Sequence, residues 1–231
     1  MKKQNTLKVC LLSVGLLSSL NASEYEGADE YDSKYRYNKS EKLEERGGLE
    51  LRANYGIASG SQKTNFEVTN SHGSLIHSET ITSDLSSAGY SFLVGYGLES
   101  PENGRSGFLY LGFEKQKWTN ENDSTNDYTS FLLGAESGVG TKHLKFVYGG
   151  EFGIGTIDTD SSTVNSLSTY TAEPFIGLRM TFVDSLSINL RVGAKAYFID
   201  DTVYTDSGYT GTGENHLITG NAQVGIGYSF Y

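Results

Sequence analysis

Eight stretches of apolar/polar alternation, joined by connections that are long and short by turns, constrain this chain more than anything else in its sequence. The first runs through Leu49, Leu51, Ala53, Tyr55 and Ile57, alternating with Glu50, Arg52 and Asn54. The pattern recurs over 88–98, 107–117, 131–136, 144–154, 170–182, 186–196 and 218–230. Alternation with period two is the signature of a strand with one apolar face. At 107–117 the parity stays open, because Phe108 and Tyr110 are as bulky as Leu109 and Leu111. The connections at 58–86, 117–127, 157–168 and 199–214 read as long polar loops; those at 99–106, 138–142 and 183–185 read as tight turns. The expected fold class is all-β: an eight-stranded up-and-down antiparallel barrel, with both chain ends on the short-turn side.

Alternation does not say which face of such a barrel points inward. Three features assign the apolar face to the outside, against lipid. The opposite parity is rich in glycine, including Gly89, Gly95, Gly112, Gly134, Gly149, Gly177 and Gly193. Glycine weakens a solvent-facing strand, but an eight-stranded lumen needs small residues beside large ones. The same parity carries acids (Glu50, Glu114, Glu136, Glu151, Glu173) and bases (Arg52, Lys145, Arg179, Arg191, Lys195) in equal number. Enclosed charges must pair, and these can. Finally, Tyr55, Tyr96, Trp118, Tyr128, Tyr170, Phe182, Phe198, Tyr228 and Phe230 fall near strand ends, where two interfacial belts would collect them.

Residues 1–22 read as a secretory signal peptide: Lys2, Lys3 and Lys8 precede and open an apolar run from Val9 to Leu20, too short to span a bilayer. Cys10, the only cysteine, lies within it, so the mature chain is expected to lack disulfides. Loss of the three lysines takes the net charge from -10 to -13. That balance argues against nucleic acid as a partner. Residues 23–46 are charged and lack an apolar face, as expected of a flexible tail before a barrel at 47–231.

With its signal segment, eight alternating strands and the terminal Tyr228-Ser229-Phe230, the chain resembles the small outer-membrane β-barrel families of Gram-negative bacteria, of the opacity-protein, OmpX and OmpA-transmembrane-domain kind. Tyr231 follows the aromatic pair as one extra residue. The resemblance implies a cell outer-membrane location with periplasmic termini, contact with outer-membrane lipid and lipopolysaccharide, and handling by the barrel-assembly machinery through the last strand. It implies no cofactor. The role expected is structural or surface recognition through the long outer loops, with an unidentified extracellular ligand. A narrow solute channel, a lipid A-modifying enzyme and a soluble lipocalin-like barrel are the alternatives.

The candidate residues fall into two sets. Glu50, Arg52, Glu114, Glu136, Lys145, Glu151, Glu173, Arg179, Arg191 and Lys195 are expected to form a charge network in the lumen. Lys115 and Lys117 are expected at the outer rim, where lipopolysaccharide phosphates lie. No catalytic group is expected: the only His-x-Ser, His72-Gly73-Ser74, falls in a polar loop. No metal is expected either, since Asp158-Thr159-Asp160-Ser161-Ser162 is not followed by the Gly and Glu that a calcium loop needs at its sixth and twelfth positions.

Overall fold

The computed structural model describes residues 46–231 apart from 101–103, 122, 160–165, 184, 207–208 and 231. The expected signal peptide, nearly all of the expected tail and most of the 158–162 acidic loop lie outside the described residues. Eight strands follow in order: β1 Arg46–Asn70, β2 Leu75–Ser100, β3 Arg105–Asn120, β4 Thr125–Gly140, β5 Leu144–Thr159, β6 Ser166–Val183, β7 Leu186–Asp206 and β8 Tyr209–Phe230. Each pairs antiparallel with its neighbours, and β8 pairs with β1, which closes the barrel. The closing seam runs from Leu49 opposite Phe230 to Asn70 opposite Tyr209.

The stagger of the barrel can be read from its pairing. Asn54 is opposite Ser91, and the path continues through Glu114, Ser130, Gly155, Thr169, Ile199 and Asn215 to Thr64. One circuit therefore advances 64 − 54 = 10 residues along β1. Eight strands with such a stagger tilt by about 35–45° and enclose a bore just wide enough for side chains.

The faces sort as the alternation implies. Leu190, Val192 and Ile226 are exposed on the outside, whereas Arg191 is buried inside. On β3, Leu109 (62 % exposed) and Leu111 (60 %) face outward, while Phe108 and Tyr110 are enclosed. That settles the open parity. On β7 the outward apolar run from Ile188 to Phe198 has the roughly 9–11 residues that a tilted strand needs to cross hydrocarbon.

Two expectations are corrected. Three of the four long loops, 58–86, 117–127 and 199–214, are mostly strand. β1 and β2 pair without interruption out to Val68–His77 and meet at a turn around Ser71–Ser74, where Asn70 Oδ1 accepts the amides of His72 and Ser74 and Gly73 takes φ +76°. β3–β4 turn at 121–124, and β7–β8 pair out to Asp206–Tyr209. These segments are largely polar on both faces, and their few apolar residues, such as Leu75, Ile76 and Ile81, do not sustain a period-two alternation. Their Ser, Thr and Asn residues and their lack of proline nonetheless permit an unbroken ladder of backbone hydrogen bonds. The second correction concerns Trp118 and Tyr128. Both point into the barrel and are buried rather than standing in an interfacial belt. Trp118 shares its parity with Glu114 and Gln116, and the indole fills the bore above them.

The hairpins differ in height. At 25 residues, β1 is more than twice as long as a membrane crossing requires. Pairing of β2 with β3 ends at Leu85–Asn120, so residues 75–84 have only β1 beside them. Pairing of β6 with β7 ends at Thr169–Ile199. Beyond those points β7, β8, β1 and β2 continue as a four-stranded sheet that stands above the described remainder of the rim.

Candidate functional site: a sealed, charged lumen beneath an apolar cup

All ten residues named for the lumen are inside the barrel and buried. They fall into two groups. In the group nearer the chain ends, Arg52 grips Glu136 with both terminal nitrogens (2.9 and 3.0 Å) and meets Glu50 at 2.7 Å. Arg179 joins the same two carboxylates, at 2.9 Å from Glu136 and 3.2 Å from Glu50, and donates to Asn189. Two guanidiniums thus share two carboxylates, with forked geometry that leaves few charged atoms unpaired.

The second group surrounds Lys195. Its ammonium lies 2.7 Å from Glu114, 3.2 Å from Glu173 and 3.4 Å from Glu151. Three carboxylates about one cation would be strained alone, so neutral donors spread the charge. Gln116 and Ser130 donate to Glu114, Tyr110 donates to Glu151, and Asn221 donates to Glu173. Arg191 connects the groups: it reaches Glu136 at 4.0 Å and Glu151 at 3.8 Å, and donates to Tyr110 Oη at 2.8 Å. Lys145 stands apart near the chain-end mouth and pairs with Glu99, an acid the sequence reading did not include.

Aromatic rings fill what the charges leave. Arg52 lies 4.0 Å from the centre of the Phe108 ring, and Arg191 lies 3.5 Å from that of Phe175. Tyr110 occupies room that Gly134 vacates: a β-carbon at 134 would lie 2.6 Å from Tyr110 Cε2. Leu93, Phe108, Tyr110 and Leu132 form one buried apolar cluster beside the charges. Tyr110, Gln116, Asn189 and Asn221 were missed as network members because a neutral side chain on the inner face has no distinguishing sequence signal.

Toward the hairpin end the charges give way to an apolar plug of Leu85, Trp118, Tyr128, Ile157, Tyr197 and Leu217. Tyr197 meets Trp118 and Tyr128 edge-on, with centroids 5.2 and 5.4 Å apart. Above the plug is a cup of about 70 Å³.

The rim lysines stand outside. Lys115 and Lys117 share the outward parity of Leu111 and Phe113; Lys115 sits 3.3 Å from Asp127, both half-exposed. The remaining sequence candidates do not assemble. His72 and Ser74 are exposed in the β1–β2 turn, His143 contacts the Thr181 carbonyl at the other end of the barrel, and His216 points outward. Among the described residues no group of three His, Cys, Asp or Glu is placed to hold a metal.

No protein-family model matches the chain, and no curated relative does. Among solved structures it is similar to Neisserial surface protein A, with 14 % identity over 75 % of this chain and 97 % of that one, at a TM-score of 0.37. It is similar also to the outer membrane protease OmpT from Escherichia coli (8 %, 79 % and 97 %, 0.36) and to Ail, the attachment invasion locus protein of Yersinia pestis (13 %, 77 % and 98 %, 0.33).

Proposed function

We propose that the chain is an integral outer-membrane barrel that holds a rigid recognition surface above the membrane and conducts nothing. One observation carries the reading: the apolar residues cover the outside of a closed barrel while the ions are paired inside it. A soluble barrel has the reverse arrangement, and an exposed apolar girdle of this extent would aggregate in water. The recognition surface is the raised sheet of β7, β8, β1 and β2, rather than floppy loops. Its edge, residues 75–84 of β2, is exposed on both faces except at the partly covered Ser83. Lys115 and Lys117 suit the phosphates of lipopolysaccharide at the outer rim, and the last strand suits recognition by the barrel-assembly machinery.

The sealed lumen speaks against the channel reading: Arg52, Arg179, Arg191 and Lys195 would all have to leave their carboxylates to open a path. His72 and Ser74 stand exposed in a hairpin turn and give no support to a hydrolytic role.

The test uses the absence of cysteine from the expected mature chain. A Ser71→Cys variant, expressed in a Gram-negative host, is treated on intact cells with a membrane-impermeant maleimide. Labelling of the membrane-fraction protein on intact cells, together with a band that shifts on boiling, is the expected result. Recovery in the soluble periplasm, or labelling only after lysis, overturns the proposal.

A further inference from the structure

The cup above the aromatic plug has the composition of a binding site. Every one of the eight strands contributes to its lining, so it lies on the barrel axis at the hairpin-end mouth. Its deeper wall is apolar and buried: Leu85, Trp118, Ile157 and Leu217. Its polar groups are the amides of Gln62, Asn126 and Asn215 and the buried indole N–H of Trp118, which has no hydrogen-bond partner among the described residues. Asn215 Oδ1 is already occupied, accepting from Gln62 Nε2 at 3.1 Å and from Thr64 at 2.8 Å. The Asn126 amide makes no side-chain hydrogen bond among the described residues.

We infer that this cup binds a small uncharged amphiphile, a single aromatic ring bearing a hydroxyl group. Three properties of the lining select that class. The cup, about 70 Å³ and open at the hairpin end, is too small for a drug-sized molecule and takes a single ring only with part of it standing in the mouth. No lining residue carries a charge, so an ionised ligand would lose its hydration without gaining a partner. The wall offers the Trp118 indole for aromatic contact, held edge-on by Tyr197, and the Asn126 amide for one hydroxyl. A purely aliphatic guest would leave the buried indole N–H of Trp118 unsatisfied.

The protein carries a built-in probe, because Trp118 is its only tryptophan. The full folded chain in detergent micelles is titrated with 4-bromophenol, whose bromine quenches indole fluorescence on contact. Saturable quenching is expected, reversed by excess phenol and absent with 4-bromobenzoate. Leu167→Phe, which narrows the mouth of the cup from a half-buried position, should weaken the half-saturation point at least tenfold. Asn126→Leu should weaken 4-bromophenol several-fold and leave bromobenzene unchanged. The heat-shifted gel band shows that each variant is folded. Quenching that rises linearly with probe and is identical in the Leu167→Phe protein reflects partition into the micelle and overturns the assignment. So does quenching by 4-bromobenzoate equal to that by 4-bromophenol.

Discussion

The Arg191 guanidinium sits over Phe175, its central carbon 3.5 Å from the ring centre, and the two come from adjacent strands. Phe175 is opposite Gly193 on β7 and above Gly149 on β5, where a β-carbon would lie 2.6 Å from Phe175 Cζ. Gly149 thus makes the space into which the ring leans, and the ring in turn supports the cation that joins both charge groups. Arg191→Leu keeps much of the apolar stem but leaves Glu136 and Glu151 short of a partner. Removing one member of a buried ionic group costs about 3–5 kcal/mol. Arg191→Lys restores the charge without the planar stack and should recover only part of the loss. Thermal melting in detergent, read by loss of the heat-shifted band, should order the three proteins as wild type, then Lys, then Leu.

Lys195 makes a sharper case, because three carboxylates depend on it. Lys195→Met should destabilise by an amount in the same range, about 3–5 kcal/mol. Glu173→Gln in that background removes one of the stranded charges and should restore part of the stability. The double-mutant cycle is then non-additive, with a coupling of about 1–3 kcal/mol. Additive effects in denaturant unfolding would mean that Lys195 and Glu173 do not interact across their 3.2 Å contact.

The barrel was legible in the sequence because its two faces differ so sharply in the membrane-crossing part. Leu190-Arg191-Val192 and Leu51-Arg52-Ala53 announce their parity in three residues. The ionic members of the lumen were legible for the same reason, since Arg52 or Glu136 on an otherwise apolar strand has nowhere else to go. Which acid pairs with which base was not legible. Arg52 and Glu136 are 84 residues apart, and only the ten-residue stagger brings β1 and β4 into reach across the bore. The raised sheet was read as loop because Thr64, Asn65, Thr80 and Thr82 are polar whichever way they face. Trp118 was read as an outer-rim aromatic although its parity with Glu114 already placed it inside. The rule that aromatics gather at strand ends prevailed over the alternation, and the alternation was right.

Tyr110 and Gly134 test how tightly the lumen is filled. Gly134→Val would force the ring of Tyr110 away from Glu151 and Arg191, both of which it hydrogen-bonds. Overpacking of this kind costs about 1–3 kcal/mol. Gly107, on the same sheet but facing outward, has its nearest neighbour 4.0 Å from a built β-carbon. Gly107→Ala should melt within a degree or two of wild type, and Gly134→Val well below it. Equal melting of the two would show that the lumen has slack around Tyr110.

The outer face carries the heaviest claim, that Leu111 meets hydrocarbon while Lys115, four residues along the same strand and facing the same way, does not. The two positions therefore respond in opposite ways to a change of polarity. An arginine on the lipid face costs about 2–4 kcal/mol at the midplane and about 0–1 kcal/mol near the interface. Leu111→Arg should lower the yield of protein refolded into lipid vesicles and shift its unfolding to lower denaturant. Lys115→Arg should change neither, since that position already supports a cation beside Asp127. In detergent the contrast should shrink, because a micelle deforms around a misplaced charge more readily than a bilayer. A protein whose Leu111→Arg variant folds into vesicles like the wild type does not present that face to lipid.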